Sequence, residues 1–226
     1  MRIIAFGDIH MDHRQLAAIP DLAAADLILI TGDLTNFGGR TEAQEVITAC
    51  RAFNPALLAL AGNLDRPEVS RYLQSEAISL HGHGVLLDNL GIFGVGGSNP
   101  TPFKTPTEFS ENEIARLLAA GFAATATARR RILVCHAPPF GTVADRLRDN
   151  SHVGSRAIRT FIEEQQPDLC LAGHIHEATG IDRIGRTTII NPGMLRLGGW
   201  IDIEFDGDTL HAELKSTLQT PNREQG

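Results

Sequence analysis

The sequence predicts an α/β fold in one large domain, and three observations support this prediction. The 226 residues are enough to build one sizeable core, and no linker-like stretch divides them. Short apolar runs alternate with helical patterns over the first part of the chain, as in βαβ units that form a parallel sheet. Five apolar runs each end at residues of types that bind metal ions: RIIAFGDIH, DLILITGDL, ALLALAGNLD, RILVCHAPP and LCLAGHIH.

The first part of the chain is predicted to be a βαβαβ unit. Its strands are expected near 2–7, 26–31 and 56–61, and its helices near 13–19, 42–53 and 67–77. Thr41 and Gln44 can form a capping box for the second helix, and Pro67 suits the first turn of the third. Parallel strands place their carboxyl ends at the same edge of a sheet, so residues that follow them are expected to meet there.

Hairpins and further helical segments are predicted for the rest of the chain. The run VLLDNLGIFGVGGS predicts a hairpin, and a Pro-rich loop then leads to a helix that Ser110 and Glu113 can cap. A strand, a loop, a helix and a strand follow near 131–136, 137–153, 154–166 and 168–172. Two hairpins, IDRIGRTTII and WIDIEFDGDTLHAEL, come last. We place one domain at 1–215 and expect a disordered tail at 216–226.

Composition excludes several classes of function. With 20 Lys and Arg against 27 Asp and Glu, the net charge of −7 disfavours a protein that binds nucleic-acid polymers through their phosphates. Cys50, Cys135 and Cys170 are scattered, which argues against a disulfide framework and a thiolate zinc site. The chain starts without a signal-peptide pattern, and no apolar run is long enough to span a membrane. We expect a cytoplasmic protein with a small substrate and no membrane partner, and leave its oligomeric state open.

The predicted strand ends bring together enough carboxylate, amide and imidazole groups for two metal ions. A single Asp or His at a strand end commonly caps a turn, but a whole set at five strand ends favours a shared site. Mixed oxygen and nitrogen ligands suit Mn²⁺, the first choice here, or Fe, Zn, Co or Ni, better than Ca²⁺ or Mg²⁺. The predicted metal ligands are Asp8, His10, Asp33, Asn63, His136, His174 and His176.

Two such ions would favour phosphoester chemistry. Held about 3.5–4 Å apart, they would clamp a phosphoryl oxygen, convert a bridging water into hydroxide and orient it for in-line attack on phosphorus. This reaction needs no side-chain nucleophile, and the sequence has neither a G-x-S-x-G motif nor a cysteine signature.

At these residues the chain resembles the calcineurin-like metallophosphoesterases, and in particular their branch of small, class III-like phosphoesterases and phosphodiesterases. The family motifs are D-x-H, G-D, G-N-x-D/E, an isolated H and G-H-x-H, and all five occur here in that order. They appear as Asp8-Ile9-His10, Gly32-Asp33, Gly62-Asn63-Leu64-Asp65, His136 and Gly173-His174-Ile175-His176.

The resemblance implies a four-layer αββα sandwich, in which two facing mixed β-sheets are flanked by helices. It also implies how the ligands are divided between two divalent ions, with Asp33 as the bridge. One ion would be bound by Asp8, His10, Asp33 and His176. The other would be bound by Asp33, Asn63, His136 and His174.

The sequence departs from the family pattern at Leu64. Many phosphomonoesterases of the family have a histidine there, which protonates the leaving group, and leucine cannot do this. His152 is a candidate substitute acid, although a surface histidine is the plainer interpretation. Arg66 and Arg156 could orient a phosphate or be ordinary surface arginines. Asp65 could orient a ligand histidine or cap a helix.

We therefore predict a dinuclear metal-dependent phosphodiesterase that acts on a small or cyclic phosphodiester. Its substrate specificity is expected to lie in the loops 97–109 and 138–153. A phosphomonoesterase or a nuclease with the same centre remains an alternative, as does a non-catalytic scaffold of the same fold. The predicted catalytic residues are Asp33, Asn63, His136 and His152.

Overall fold

A computed structural model of the protein describes residues 1–218. Its strands are β1 Arg2–Phe6, β2 Leu27–Ile30, β3 Leu57–Ala59, β4 Gly84–Leu87, β5 Leu90–Val95, β6 Arg130–Cys135, β7 Leu169–Leu171, β8 Gly180–Ile184, β9 Thr187–Asn191, β10 Gly199–Phe205 and β11 Leu210–Ser216. Its α-helices are α1 Arg40–Arg51, α2 Pro67–Ser75, α3 Glu111–Ala123 and α4 Arg156–Gln165. Short 3₁₀ turns occur at Arg14–Ala18, Leu22–Ala24, Val143–Asp145 and Leu195–Leu197.

The described strands form two mixed sheets. The five-stranded sheet has the order β11-β10-β1-β2-β3, in which β1, β2 and β3 are parallel and β10 runs antiparallel to β1. The six-stranded sheet has the order β4-β5-β6-β7-β9-β8. Its four central strands are parallel, and the edge strands β4 and β8 are antiparallel to their neighbours.

The period-2 alternation of strand side chains explains why the two sheets face each other. In β1, Ile3 and Ala5 lie in the core between the sheets, whereas Ile4 and Phe6 lie in the core beneath α1 and α2. A third core packs α3 and α4 against the outer face of the six-stranded sheet. The predicted αββα sandwich is therefore confirmed.

The helix starts agree with the sequence prediction except at α1, and the helix predicted near 13–19 is the short 3₁₀ turn Arg14–Ala18. Ser110 accepts a hydrogen bond from the Glu113 backbone and caps α3, as predicted, and Pro67 opens α2. The predicted capping box at Thr41 and Gln44 is wrong, because both residues lie inside α1. The helix starts earlier because Glu42 accepts a hydrogen bond from the backbone N–H of Gly39 at 2.8 Å.

The end of the described chain is the last strand of the five-stranded sheet. β11 extends through Ser216, which is the first residue of the predicted tail, and residues 219–226 of that tail lie outside the described part. The single domain at 1–215 stays a prediction. Among the described residues, no helix has the length and apolar character that crossing a bilayer requires.

Candidate metal centre

Four of the predicted ligands converge where β1, β2 and β7 end. Asp8, His10, Asp33 and His176 each offer one ligand atom, and these atoms all lie within 4.8 Å of one another. The Nε2 atoms of His10 and His176 are 3.1 Å apart, and His176 Nε2 lies 3.2 Å from Asp8 Oδ1. Ring nitrogens and carboxylate oxygens that point at the same space are the donor set of a divalent transition metal.

The other predicted ligands lie beside this group, on the side of β3 and β6. The buried ring of His136 has its Nδ1 atom 3.1 Å from the carbonyl oxygen of Thr31, so this nitrogen must donate its proton. A neutral ring then directs the lone pair of Nε2 at Asn63 Oδ1, 3.0 Å away, and at Asp33 Oδ1, 3.5 Å away. All three atoms are acceptors, so the arrangement requires either a proton or a cation between them.

The charges at the centre also indicate that a proton or a cation lies between His136, Asn63 and Asp33. Burial alone would lower the pKa of His136, but the charge of Asp33 and its hydrogen bond raise that pKa to about 9. The neighbouring ring of His174, whose centroid is 5.2 Å away, has its pKa lowered to about 4, mainly by burial and then by the charge of His136. His174 is therefore neutral, and a divalent ion can take the place of the proton on His136. The residues present fit a metal pair.

The backbone at the centre is strained. Asp8, His10, Asp33 and His174 all have left-handed conformations, with φ angles of 48°, 49°, 47° and 69°. Non-glycine residues seldom adopt such angles, and those that do often lie at functional sites. These turns bend the chain immediately after each strand, and the sequence pattern alone does not reveal them.

The glycines of the motifs make room for the ligands. A Cβ atom on Gly62 would lie 2.0 Å from Asp33 Oδ1, and one on Gly173 would lie 2.6 Å from Asp8 Oδ2. Any side chain at either position would therefore displace a ligand carboxylate.

Asp65 joins the loops that follow β2 and β3. Its buried carboxylate accepts hydrogen bonds from the backbone N–H groups of Leu34, Thr35 and Gly62, at 3.0, 2.8 and 2.8 Å. Burial and, to a smaller extent, the charge of Asp33 raise the pKa of Asp65 to about 7. Asp65 positions the backbone around Asp33, and its carboxylate bonds to that backbone rather than to a ligand histidine.

Two residues that sequence reasoning missed fix the amide of Asn63. Asn63 Nδ2 donates to Thr105 Oγ1 at 3.0 Å, and this hydroxyl donates to Glu108 Oε1 at 2.6 Å. Because the carboxylate can only accept, the direction of both bonds is determined, and Asn63 Oδ1 must face His136. Thr105 and Glu108 lie in the predicted specificity loop, but no motif identifies them.

The centre opens into a cavity of about 800 Å³. Asp33, Asn63, His174 and His176 lie at its inner end, and the loops 97–109 and 138–153 contribute its walls, together with residues outside these loops. His152 is part of the wall and donates from Nδ1 to the buried Asp145 at 2.7 Å. Arg156 also lines the cavity, whereas Arg66 is exposed and lies outside this lining.

The comparison with protein families shows the family of this chain. The sequence profile of the calcineurin-like phosphoesterases matches residues 1–178, which is most of the chain. The chain belongs to the calcineurin-like phosphoesterase family. Calcineurin-like phosphoesterases are phosphoric ester hydrolases with a dimetal centre, and the Asp and His cluster of this member is a candidate for that centre.

Two relatives of this calcineurin-like phosphoesterase cover most of its length. The uncharacterized protein MJ1162 of Methanocaldococcus jannaschii is 35% identical over 197 residues, which are 85% of this chain and 88% of the relative. The UPF0046 protein K07C11.7 of Caenorhabditis elegans is 25% identical over 221 residues, which are 89% of this chain and 72% of the relative.

Solved structures share the fold of this calcineurin-like phosphoesterase. The protein TT1561 of Thermus thermophilus is similar with a TM-score of 0.72 at 17% identity, and the match covers 96% of this chain and 99% of TT1561. A dimetal phosphatase from Danio rerio is similar with a TM-score of 0.67 at 12% identity, over 97% of both chains. At these identities the similarity shows the fold alone.

Proposed function

We propose that this calcineurin-like phosphoesterase is a phosphodiesterase that hydrolyses small or cyclic phosphodiesters with two divalent metal ions. The observation that carries the proposal is the convergence of four candidate metal-binding side chains within 4.8 Å, two of which, Asp33 and His176, also line a large cavity. A non-catalytic scaffold has no need of a complete ligand set, so catalysis is the better-supported alternative.

The ligands divide into two groups that share Asp33. Asp8, His10, Asp33 and His176 would hold one ion, and Asp33, Asn63, His136 and His174 would hold the other. When bound, the ions supply the Lewis acidity that activates water and stabilises charge on the phosphoryl group. Mn²⁺ is the proposed metal because of the mixed donor set, with Fe, Zn, Co or Ni as alternatives.

The preference for diesters rests on Leu64 and His152. Leu64 lines the cavity and has no proton to give a leaving group. His152 also lines it, and its Nδ1 atom is engaged by Asp145, so Nε2 is the ring nitrogen that can donate a proton to the leaving oxygen. The net charge of −7 disfavours a nucleic-acid polymer as substrate.

The proposal is tested by comparing hydrolysis of bis-p-nitrophenyl phosphate with that of p-nitrophenyl phosphate. The protein is stripped of metal and reloaded with Mn²⁺, and Asp33→Asn is measured beside Asp208→Asn, which removes an exposed carboxylate. We expect faster diester cleavage that requires the metal and Asp33 but not Asp208. Preferential cleavage of the monoester would replace the diesterase by a phosphomonoesterase, and turnover by Asp33→Asn at the wild-type rate would reject the dimetal centre.

A further inference from the structure

One wall of the cavity is apolar and takes no part in the proposed chemistry. We call it the aromatic wall and define it by six residues that line the cavity. They are Phe37, Pro100, Pro102, Phe103, Phe140 and Leu147. These residues come from three separate loops, and the cavity that they line also contains Asp33, Asn63, His174 and His176. The aromatic wall and the candidate metal centre therefore open onto the same cavity, so one small molecule can contact both.

Two phenylalanines of this wall are unusually exposed. Phe103 exposes 84% of its surface and Phe37 exposes 52%, although burial in the core would stabilise both side chains. Scattered apolar residues on a surface are common, but here both line one cavity beside the candidate metal centre.

The backbone strain at Phe37 indicates that its position has a function. Its φ angle is 57°, a left-handed value that is a genuine outlier for a bulky residue. The backbone N–H of Phe37 donates to the carbonyl of Leu64 at 3.1 Å, which joins the backbone of Phe37 to the loop that carries Asn63. The fold thus places the backbone of an exposed aromatic residue beside the loop of a predicted metal ligand.

The Lys and Arg side chains that line the cavity can neutralise only a small negative charge on a substrate. Among the described residues that line it, Arg156 is the one Lys or Arg, and its guanidinium lies 3.9 Å from the centre of the Phe140 ring. A substrate with several phosphates would find few cations there. A volume of about 800 Å³ is also in the range of sites for single small molecules rather than polymers.

We propose that the aromatic wall is a subsite for an aromatic ring attached to the scissile phosphate, so that the preferred substrates are small aryl or heteroaryl phosphoesters. This inference rests on the proposed function. Phenylalanine and proline present flat apolar faces against which a ring stacks with little loss of conformational freedom, whereas a flexible alkyl chain would have to be ordered.

Direct binding of phosphonates tests the subsite without any turnover. Methylphosphonate, hexylphosphonate and phenylphosphonate are titrated into the Mn²⁺-loaded protein by calorimetry. We expect phenylphosphonate to bind about tenfold more tightly than methylphosphonate, because the wall buries the ring. Phe103→Ala and Phe37→Ala should each reduce this ratio to about threefold or less and leave methylphosphonate affinity unchanged. Phe53→Ala, at an exposed phenylalanine outside the cavity lining, is the matched control.

The outcomes separate the subsite from the proposed function. Equal affinities for the methyl and phenyl compounds, or a phenyl preference that survives both Phe→Ala variants, would overturn the subsite alone. Tighter binding of hexylphosphonate than of phenylphosphonate would assign the wall to alkyl chains instead. Failure of every phosphonate to bind the metal-loaded protein would overturn the subsite, whereas the proposed function is decided separately by the hydrolysis of bis-p-nitrophenyl phosphate.

Discussion

The inner end of the cavity and its aromatic wall are built in opposite ways. At the inner end, Asp33 and Asn63 are buried, and their positions are fixed by hydrogen bonds and by glycines that leave no free space. At the wall, Phe37 and Phe103 are exposed and held mainly by the course of their loops. The inner end therefore tolerates almost no change, whereas the wall can vary in sequence and so alter which substrate binds.

The largest expected effect is that of a single methyl group at the inner end. Gly62→Ala places a Cβ atom 2.0 Å from Asp33 Oδ1, so we expect a loss of diesterase activity of about a hundredfold or more. Gly39→Ala is the matched control, because its nearest neighbour atom would be 3.9 Å away. Initial rates and Mn²⁺ stoichiometry are measured for both variants. Unchanged rates for Gly62→Ala would show that the inner end is as tolerant as the wall.

His152 lines the cavity and is the proposed proton donor to the leaving oxygen. We expect His152→Gln to slow diesters with poor leaving groups about a hundredfold and to leave p-nitrophenyl esters little affected. The dependence of rate on leaving-group pKa is measured for wild type and variant, with the exposed His211→Gln as control. Equal slopes for wild type and variant would remove His152 from the mechanism.

The inner end should respond to pH, whereas the wall should not. Because the pKa of His136 is raised to about 9, the metal-free centre carries a proton there below that pH, and a metal ion must displace it. Mn²⁺ affinity should therefore rise about tenfold per pH unit well below pH 9 and level off above it. Calorimetry in buffers of different ionisation enthalpy measures the released proton. An affinity that does not change with pH, or binding at neutral pH without release of a proton, would contradict the charge assigned to His136.

Thr105 lies in the same loop as Phe103, but its hydroxyl accepts a hydrogen bond from Asn63 at the inner end of the cavity. Thr105→Val removes the acceptor for Asn63 Nδ2 and frees the amide to turn. We expect affinity for one of the two ions to fall about tenfold, while Thr105→Ser, which keeps the hydroxyl, restores it. Calorimetric titration with Mn²⁺ resolves the two sites. Equal binding curves for the valine and serine variants would show that the hydroxyl does not position Asn63.

The smallest expected effect is a change in preference at Leu64. Leu64→His adds a proton donor to the cavity, so the ratio of monoesterase to diesterase activity should rise about threefold or more. The ratio of kcat/KM for p-nitrophenyl phosphate and bis-p-nitrophenyl phosphate provides the measurement. An unchanged or lower ratio would mean that Leu64 does not set the preference.

The sequence predicted the inner end better than the wall, and the reason is physical. Asp8 and Asp33 follow apolar strands of a parallel sheet, and parallel strands place their carboxyl ends at one edge. The apolar runs and the position of each aspartate after its run are therefore sufficient to predict that the two side chains meet. The predicted strands and hairpins depended on the same local pattern. The start of α1 was predicted at the wrong residue, because the N-cap is Gly39, whose backbone N–H donates to Glu42, and not Thr41.

The wall could not be predicted because its residues have no shared spacing. Phe37 and Phe103 are far apart in sequence and line the same cavity only because of the paths of two irregular loops. The contact between Thr105 and Asn63 likewise joins a Pro-rich loop to a motif residue across 42 positions. Left-handed backbone at Phe37 depends on tertiary packing, which overrides the local preference of a bulky side chain. Aspartate tolerates this conformation, but the sequence does not show that Asp8 adopts it.

The position of β1 has a consequence for synthesis of the protein. β1 lies between β2 and β10, so one edge of β1 has no partner until Gly199–Phe205 has been synthesised. A nascent chain would expose that edge to neighbouring strands, which makes it a point of aggregation. The strand that leads to Asp8 and His10 thus gains its second partner late, and we expect metal loading to follow the synthesis of β10.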